Sequence, residues 1–182
     1  LTPGGSRHET PLSEVLEECR QRFSLPGFCR HNLCISHAKR VQLNRLCNEH
    51  FKPPDAVLVK APKRTGGQLC APQNMWLWPG IELLGCSWCS KKIKNNVLYT
   101  VTQIDAAAQT LCVEGDAAHT LSFEQAATVL RLSFARTYAS VQGQEFSEAL
   151  ALHDTRSKHF TRTHLYVALS RAKQAELIAV RS

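Results

Sequence analysis

The stretch His164–Lys173, HLYVALSRAK, decides how this 182-residue chain is to be read. A helix over Thr163–Lys173 places Leu165, Ala168, Leu169 and Ala172 on one apolar stripe, at the three- and four-residue spacing of a packed helix. Arg171 then falls on another azimuth near the C-terminal end. An arginine carried by a packed helix can be aimed across a gap with little further loss of side-chain freedom. On either side, Ala149–His153 and Glu176–Val180 (ELIAV) read as short apolar strands. Strand, helix and strand in this order predict a parallel α/β sheet.

Moving towards the N-terminus, Arg131–Tyr138 reads as a strand that leads into Arg136–Phe146, RTYASVQGQEF. The chain turns there at Gly143, where the backbone can come close to a ligand. Thr137, Ser140, Gln142 and Gln144 offer hydrogen bonds, and the Glu145 carboxylate suits a sugar hydroxyl.

The first sixty residues carry a second α/β signature. After a loose tail, Thr10 as N-cap and Pro11 at the first helical position open a helix with Leu12, Val15, Leu16, Cys19 and Phe23 on one stripe. Pro26-Gly27 stops it. His31–Ser36 reads as a buried strand, and Ser36 can cap a helix over Ala38–His50 with Ala38, Val41 and Leu46 inward. Ala56–Ala61 then reads as another strand of the parallel sheet. His37, Lys39 and Arg40 lie at the start of that helix, where anions bind.

The pattern changes at Pro62. Residues 62–75 form a basic loop, and several short strands follow, among them Val97–Ile104, Gln109–Val113 and His119–Leu121. Leu98, Thr100, Thr102 and Ile104 share one face opposite Val97, Tyr99 and Val101, as in a small antiparallel barrel. Trp76, Trp78, Trp88 and Tyr99 in this block are candidates for base stacking or for core. Ser122-Phe-Glu-Gln125 has the spacing of a capping box.

The net charge is +7, and the basic residues cluster at His37–Arg40, Lys60–Arg64, Lys91–Lys94 and Arg156–Arg162. Such patches attract polyanions. No apolar run approaches the roughly 18 residues that cross a bilayer, and the N-terminus lacks the order of a signal peptide. The expectation is an intracellular chain, cytoplasmic or nuclear, with its eight cysteines kept as thiols. Cys86 and Cys89 form the one close pair. Completing a zinc site would take Cys70 and Cys112, and no metal site is expected.

Together, NLCISHAKRVQLN (Asn32–Asn44), TYASVQGQEF and LYVALSRA resemble the C-terminal motifs of superfamily-one helicases, in particular the RecD-like and Pif-like branch. The resemblance covers about residues 30–181. It implies a RecA-like parallel sheet with helices on both faces, interrupted by a small antiparallel β-barrel. The domains would then be a tail and helix at 1–29, a RecA-like domain at 30–73 and 123–182, and a barrel at 74–122.

Carried over by position, the resemblance makes Arg171 an arginine finger on the γ-phosphate of ATP. It assigns Gln142, Gly143 and Glu145 to the nucleotide cleft, and Thr137 to the nucleic-acid backbone. Ser140, His37, Lys39 and Arg40 join Thr137 as candidate nucleic-acid contacts. Many relatives have His and Lys where this chain has Ala139 and Ser140. A phosphate loop ending in Gly-Lys-Ser/Thr is absent from the sequence, and Lys63–Gln68 lacks its spacing. ATP and Mg²⁺ would therefore be bound mainly by a separate first RecA-like domain. The partners implied are that domain and single-stranded nucleic acid, with DNA favoured, and no membrane. The alternatives are a non-catalytic nucleic-acid-binding module and a regulatory interaction domain on a RecA-like scaffold.

Overall fold

The structure, a computed structural model, describes residues 10–62, 72–86, 90, 92–141 and 143–182. In chain order its elements are α1 (Leu12–Arg22), β1 (His31–Cys34), α2 (His37–Phe51), β2 (Val57–Val59), β3 (Met75–Leu77), β4 (Glu82–Gly85) and β5 (Leu98–Asp105). There follow β6 (Thr110–Glu114), β7 (Ala118–Ser122), α3 (Phe123–Val129), β8 (Leu130–Leu132), β9 (Ala135–Thr137), β10 (Leu150–Leu152), α4 (Arg162–Leu169) and β11 (Ile178–Val180). The chain divides into two compact units, one made of the residues up to Ser36 together with Thr137–Ser182, the other of His37–Arg136. These borders fall outside the 74–122 insert expected from the sequence, so α2, β2, α3 and β8 all group with the antiparallel strands.

The first unit is built on a sheet of order β11-β10-β1-β9, in which β1 pairs parallel with β10 and β10 parallel with β11. Alternation along the strands sends large side chains one way. Leu33, Leu150, Leu152, Ile178 and Val180 pack with Leu16 of α1 and with Leu165 and Ala168 of α4. Burying each such leucine stabilises the fold by about 1.5–3 kcal/mol. The intervening Ala151 and Ala179 pack with Cys29 in a separate, smaller cluster. Parallel pairing also puts the carboxyl ends of β1, β10 and β11 at one edge of the sheet.

At α1, Pro11 itself is the N-cap and makes no side-chain cap bond, one position later than the Thr10 expectation. The expected strand Arg131–Tyr138 is split. Leu130–Leu132 joins the antiparallel sheet, Ala135–Thr137 the parallel one, and Tyr138–Val141 is a 3-10 turn.

In the second unit five strands form an antiparallel sheet of order β7-β6-β5-β4-β8. Among the described residues no β7–β8 pairing closes this sheet into the expected barrel. Its core is Tyr99, Val101, Leu83, Leu111, Val113 and Leu132, with Met75 and Leu77. Ser122 caps α3 through the reciprocal bonds of a capping box with Gln125, as its spacing predicts. The strand β2 does not join the parallel sheet. It pairs antiparallel with β3, Leu58 opposite Trp76.

The inward face of α2 also differs from the expectation. Val41 and Leu46 are exposed, and the buried residues are Arg40, Leu43, Asn44, Cys47 and Asn48. Each asparagine amide pairs with both backbone groups of one strand residue. Asn44 accepts from the Ala135 amide at 2.9 Å and donates to the Ala135 carbonyl at 3.1 Å. Asn48 does the same to Trp76, at 2.8 Å both ways. The helix is thus seated by two polar side chains one turn apart, which is why a search for an apolar stripe picks the wrong face.

Candidate functional site

The candidate residues of the first unit meet where the two polar motifs run side by side. Helix α4 begins at Thr161, whose hydroxyl accepts from the His164 amide while the His164 ring answers the Thr161 amide. The helix ends at Leu169. Ser170, as C-cap, still has right-handed helical angles, and Arg171 lies in the turn beyond it, not on the helix as its sequence suggests. The Arg171 amide still donates to the Ala168 carbonyl at 3.1 Å, so the turn is held to the helix.

Beyond that turn the chain zips against the Gln144–Phe146 segment. The Phe146 amide donates to the Arg171 carbonyl at 2.7 Å, and the Lys173 amide to the Phe146 carbonyl at 2.9 Å. Phe146 and Ala172 thereby form a parallel bridge. Phe146 is buried in the cluster that also receives α4, which fixes the depth of the pair. Arg171 is half-buried. Its Nε and Nη2 each donate to the Ser170 hydroxyl at 3.3 Å, and its Nη1 to the Gln144 carbonyl at 3.5 Å. Contacts this long orient a guanidinium without consuming its bidentate capacity.

Glu145 stands beside this turn, its carboxylate 3.8 Å from the Lys173 ammonium, with both side chains mostly exposed. Gly143 has φ of +80°, and a Cβ built there would meet nothing within 4 Å. Glycine is therefore needed for the left-handed backbone and not for space. Gln142 lies outside the described residues.

Thr137 ends β9, and its carbonyl accepts from the Ser140 hydroxyl at 2.8 Å, which closes the 3-10 turn. Tyr138, next in the chain, is almost fully buried. Its hydroxyl donates to the His153 carbonyl at 2.9 Å, and its ring meets Phe160 and His164 edge-on. Burial pushes its phenol far above the usual tyrosine range. The His153 Nε2 is 3.0 Å from the side-chain Oδ1 of Asn32, and the Ile35 amide donates to the Asp154 carboxylate at 2.8 Å. Sequence reading singled out neither Tyr138 nor Lys173, because one was taken as strand and the other as helix.

His37, Lys39 and Arg40 belong to the second unit, at the start of α2. His37 is exposed and Lys39 half-buried, whereas Arg40 is buried at 5% and so is not part of an open basic turn. Tyr99 is core, fully buried, with its hydroxyl between the Lys94 amide and Asp116. Trp76 is half-buried under the Lys52 ammonium, 4.2 Å from the ring centroid, and Trp78 packs near Phe134. The Cys86 thiol donates to the Thr128 carbonyl at 3.7 Å and the Cys112 thiol lies 3.4 Å from the Thr120 hydroxyl; Cys70, Cys89, Trp88 and Lys63–Gln68 lie outside the described residues. No group of three His, Cys, Asp or Glu placed to hold a metal ion occurs among the described residues, nor is any helix there long and apolar enough to cross a membrane.

The turn after α4 thus holds Arg171 against a glycine-containing polar loop at the edge of a parallel sheet. Residues 75–179, more than half of the chain, match the viral superfamily 1 RNA helicase core domain, and the chain belongs to that family. Among solved structures, its fold is similar to that of Pif1 helicases. Bacteroides Pif1 bound to ssDNA shares 19% identity at a TM-score of 0.60, over 93% of this chain and 45% of that one. Pif1 from Candida albicans shares 18% at 0.59, over 93% and 52%. A structure of two coordinating Pif1 helicases at forked dsDNA shares 22% at 0.61, over 93% and 42%. The chain thus spans about half the length of the helicases it matches. No curated protein matches it.

Proposed function

We propose that this chain is the second motor domain of an ATP-dependent DNA helicase of the Pif-like branch, in which Arg171 is the arginine finger. The observation that carries the reading is the bridge of Phe146 to Ala172. It makes the Gly143–Phe146 loop and the Arg171 turn one rigid piece, so a guanidinium and the Glu145 carboxylate are presented together. Tyr166, on α4, is 73% exposed, which suits a helix face that meets a further domain.

The donor set fits a nucleotide only in part. Arg171 can reach phosphate oxygens and Glu145 a ribose hydroxyl, but the chain's own sequence offers no phosphate loop. ATP, when bound between this domain and a first RecA-like domain that also holds Mg²⁺, supplies the phosphoryl group whose transfer drives translocation. The part of this chain is to hold Arg171 in position beside the transferring group, where its charge counts most in the transition state. Thr137 and the 3-10 turn after it would border single-stranded DNA; in the second unit the exposed His37 and half-buried Lys39 are candidate nucleic-acid contacts of their own. The bound strands named for the Pif1 structures favour DNA as the partner.

The test is the ATPase rate of this chain combined with a first motor domain, with and without Arg171→Ala. A loss of about 10³-fold or more is expected, as for other arginine fingers. Equal rates would remove the assignment.

A further inference from the structure

The basic cluster Arg156–Arg162 is left unused by the finger and by the Gly143 loop, and its placement gives it a function. The chain leaves the carboxyl end of β10 through two successive turns. The Ser157 amide donates to the Asp154 carbonyl and the Phe160 amide to the Ser157 carbonyl, each at 2.9 Å. Phe160 is buried against Tyr138, and Thr161 then caps α4, so both ends of the double turn are pinned. Arg156, Lys158 and His159 are left exposed on its outer side. Arg162 donates to the Thr10 carbonyl.

No ion pair of Arg156 or Lys158 occurs among the described residues. Between Asp154 and Glu176 the sequence has no Asp or Glu. The Asp154 carboxylate at the start of the turn accepts from the Ile35 amide. The turn also borders the candidate strand-binding residues. Tyr138, adjacent to Thr137, donates to the carbonyl of His153. Ligands of parallel α/β sheets bind outside the carboxyl ends of the strands, and this turn stands at that edge.

We infer that the double turn Asp154–Thr161 is a phosphate-binding step of the single-strand track, with Arg156 and Lys158 each engaging a backbone phosphate next to Thr137. The inference rests on the helicase reading and extends its nucleic-acid site to residues that no resemblance assigned. A pinned turn presents two cations with little ordering left to pay for on binding, and such contacts are blind to base sequence.

The experiment is fluorescence-anisotropy titration of the chain with a labelled oligo-dT over a salt series, for the unaltered chain, Lys158→Gln, and Arg156→Gln/Lys158→Gln. The slope of log affinity against log salt should become shallower by about 0.7 in the single variant and about 1.4 in the double one. Both residues are exposed, so the variants remain folded. Binding by the unaltered chain with the same slope in the double variant overturns the inference and leaves the helicase reading intact, since Arg171 is tested separately by ATPase rate. Absence of any oligo-dT binding at low salt overturns it together with the proposed strand track, but not the arginine finger. Unchanged oligo-dT binding with weakened ATPase stimulation by a first motor domain overturns it in favour of a protein contact.

Discussion

The amide of Phe146 donates to the carbonyl of Arg171 at 2.7 Å, and together with the Lys173 amide on the Phe146 carbonyl this bond joins the two polar motifs of the first unit. Its consequence is mechanical. Arg171 sits one residue beyond the cap of α4, where a free turn would let the guanidinium wander. The bridge to a buried Phe146 supplies the restraint that the helix does not. The aim of the arginine is thus set by β-type pairing and not by helix rotation.

If that is so, the loop and the arginine should respond together. Gly143→Ala forces a left-handed backbone on alanine, at a cost of roughly 1–2 kcal/mol, without any steric clash. The expected outcome is a modest loss in urea unfolding, together with a fall in ATPase rate in the complex with a first domain. The same loss of stability with an unchanged rate would show that the loop does not position Arg171.

The asparagines of α2 give a stability prediction in the second unit. Removing the Asn44 side chain leaves both the Ala135 amide and its carbonyl without that partner in a buried place, at about 1–3 kcal/mol for each unsatisfied group. Asn44→Ala should therefore unfold at markedly lower urea, and Asn48→Ala should cost less, because its contact is only partly buried. Val41→Ala, one turn away on the same helix but 39% exposed, should change stability by no more than about 0.5 kcal/mol. Equal effects at Val41 and Asn44 would contradict the seating of α2.

These two cases mark what was legible in the sequence. Strands β1, β10 and β11 and the antiparallel strands β5 to β7 could be read because their burial alternates or is complete, and α3 because its capping box is local. The inward face of α2 could not, since its polar residues are satisfied by strands distant in sequence. The break between β8 and β9 was equally hidden, because burial runs unbroken from Leu132 to Arg136 and nothing local says where the chain changes sheets. At the candidate site, the motifs alone put Arg171 and Glu145 forward as candidates. Their placement was not readable, because the Phe146–Ala172 bridge is a tertiary event between two stretches that each look like something else. Lys173 fell on an expected helix, and its approach to Glu145 follows only from the turn that replaces it.

Tyr138 offers a pH-dependent test of the packing beneath the site. Burial is the main cause of its raised pKa, followed by the nearby Asp154 and Cys34 charges, with the bond to the His153 carbonyl acting the other way. In the unfolded chain its phenol titrates near its ordinary value of about 10. Above that pH the unfolded chain loses a proton that the folded chain keeps, so the unfolded state gains stability as pH rises. The Tyr138 contribution should be complete below pH 10 and decline above it. Tyr138→Phe removes the ionisable group, so the difference in unfolding free energy between the two proteins should shrink, then change in favour of the phenylalanine, as pH is raised from 9 to 11. At neutral pH the variant should lose about 1 kcal/mol for the missing hydrogen bond to His153. Urea titrations at these pH values, with absorbance at the phenolate band as a check, decide the matter. A constant difference across the range would mean that Tyr138 ionises in the folded protein and that the His153 contact does not hold the ring in the core.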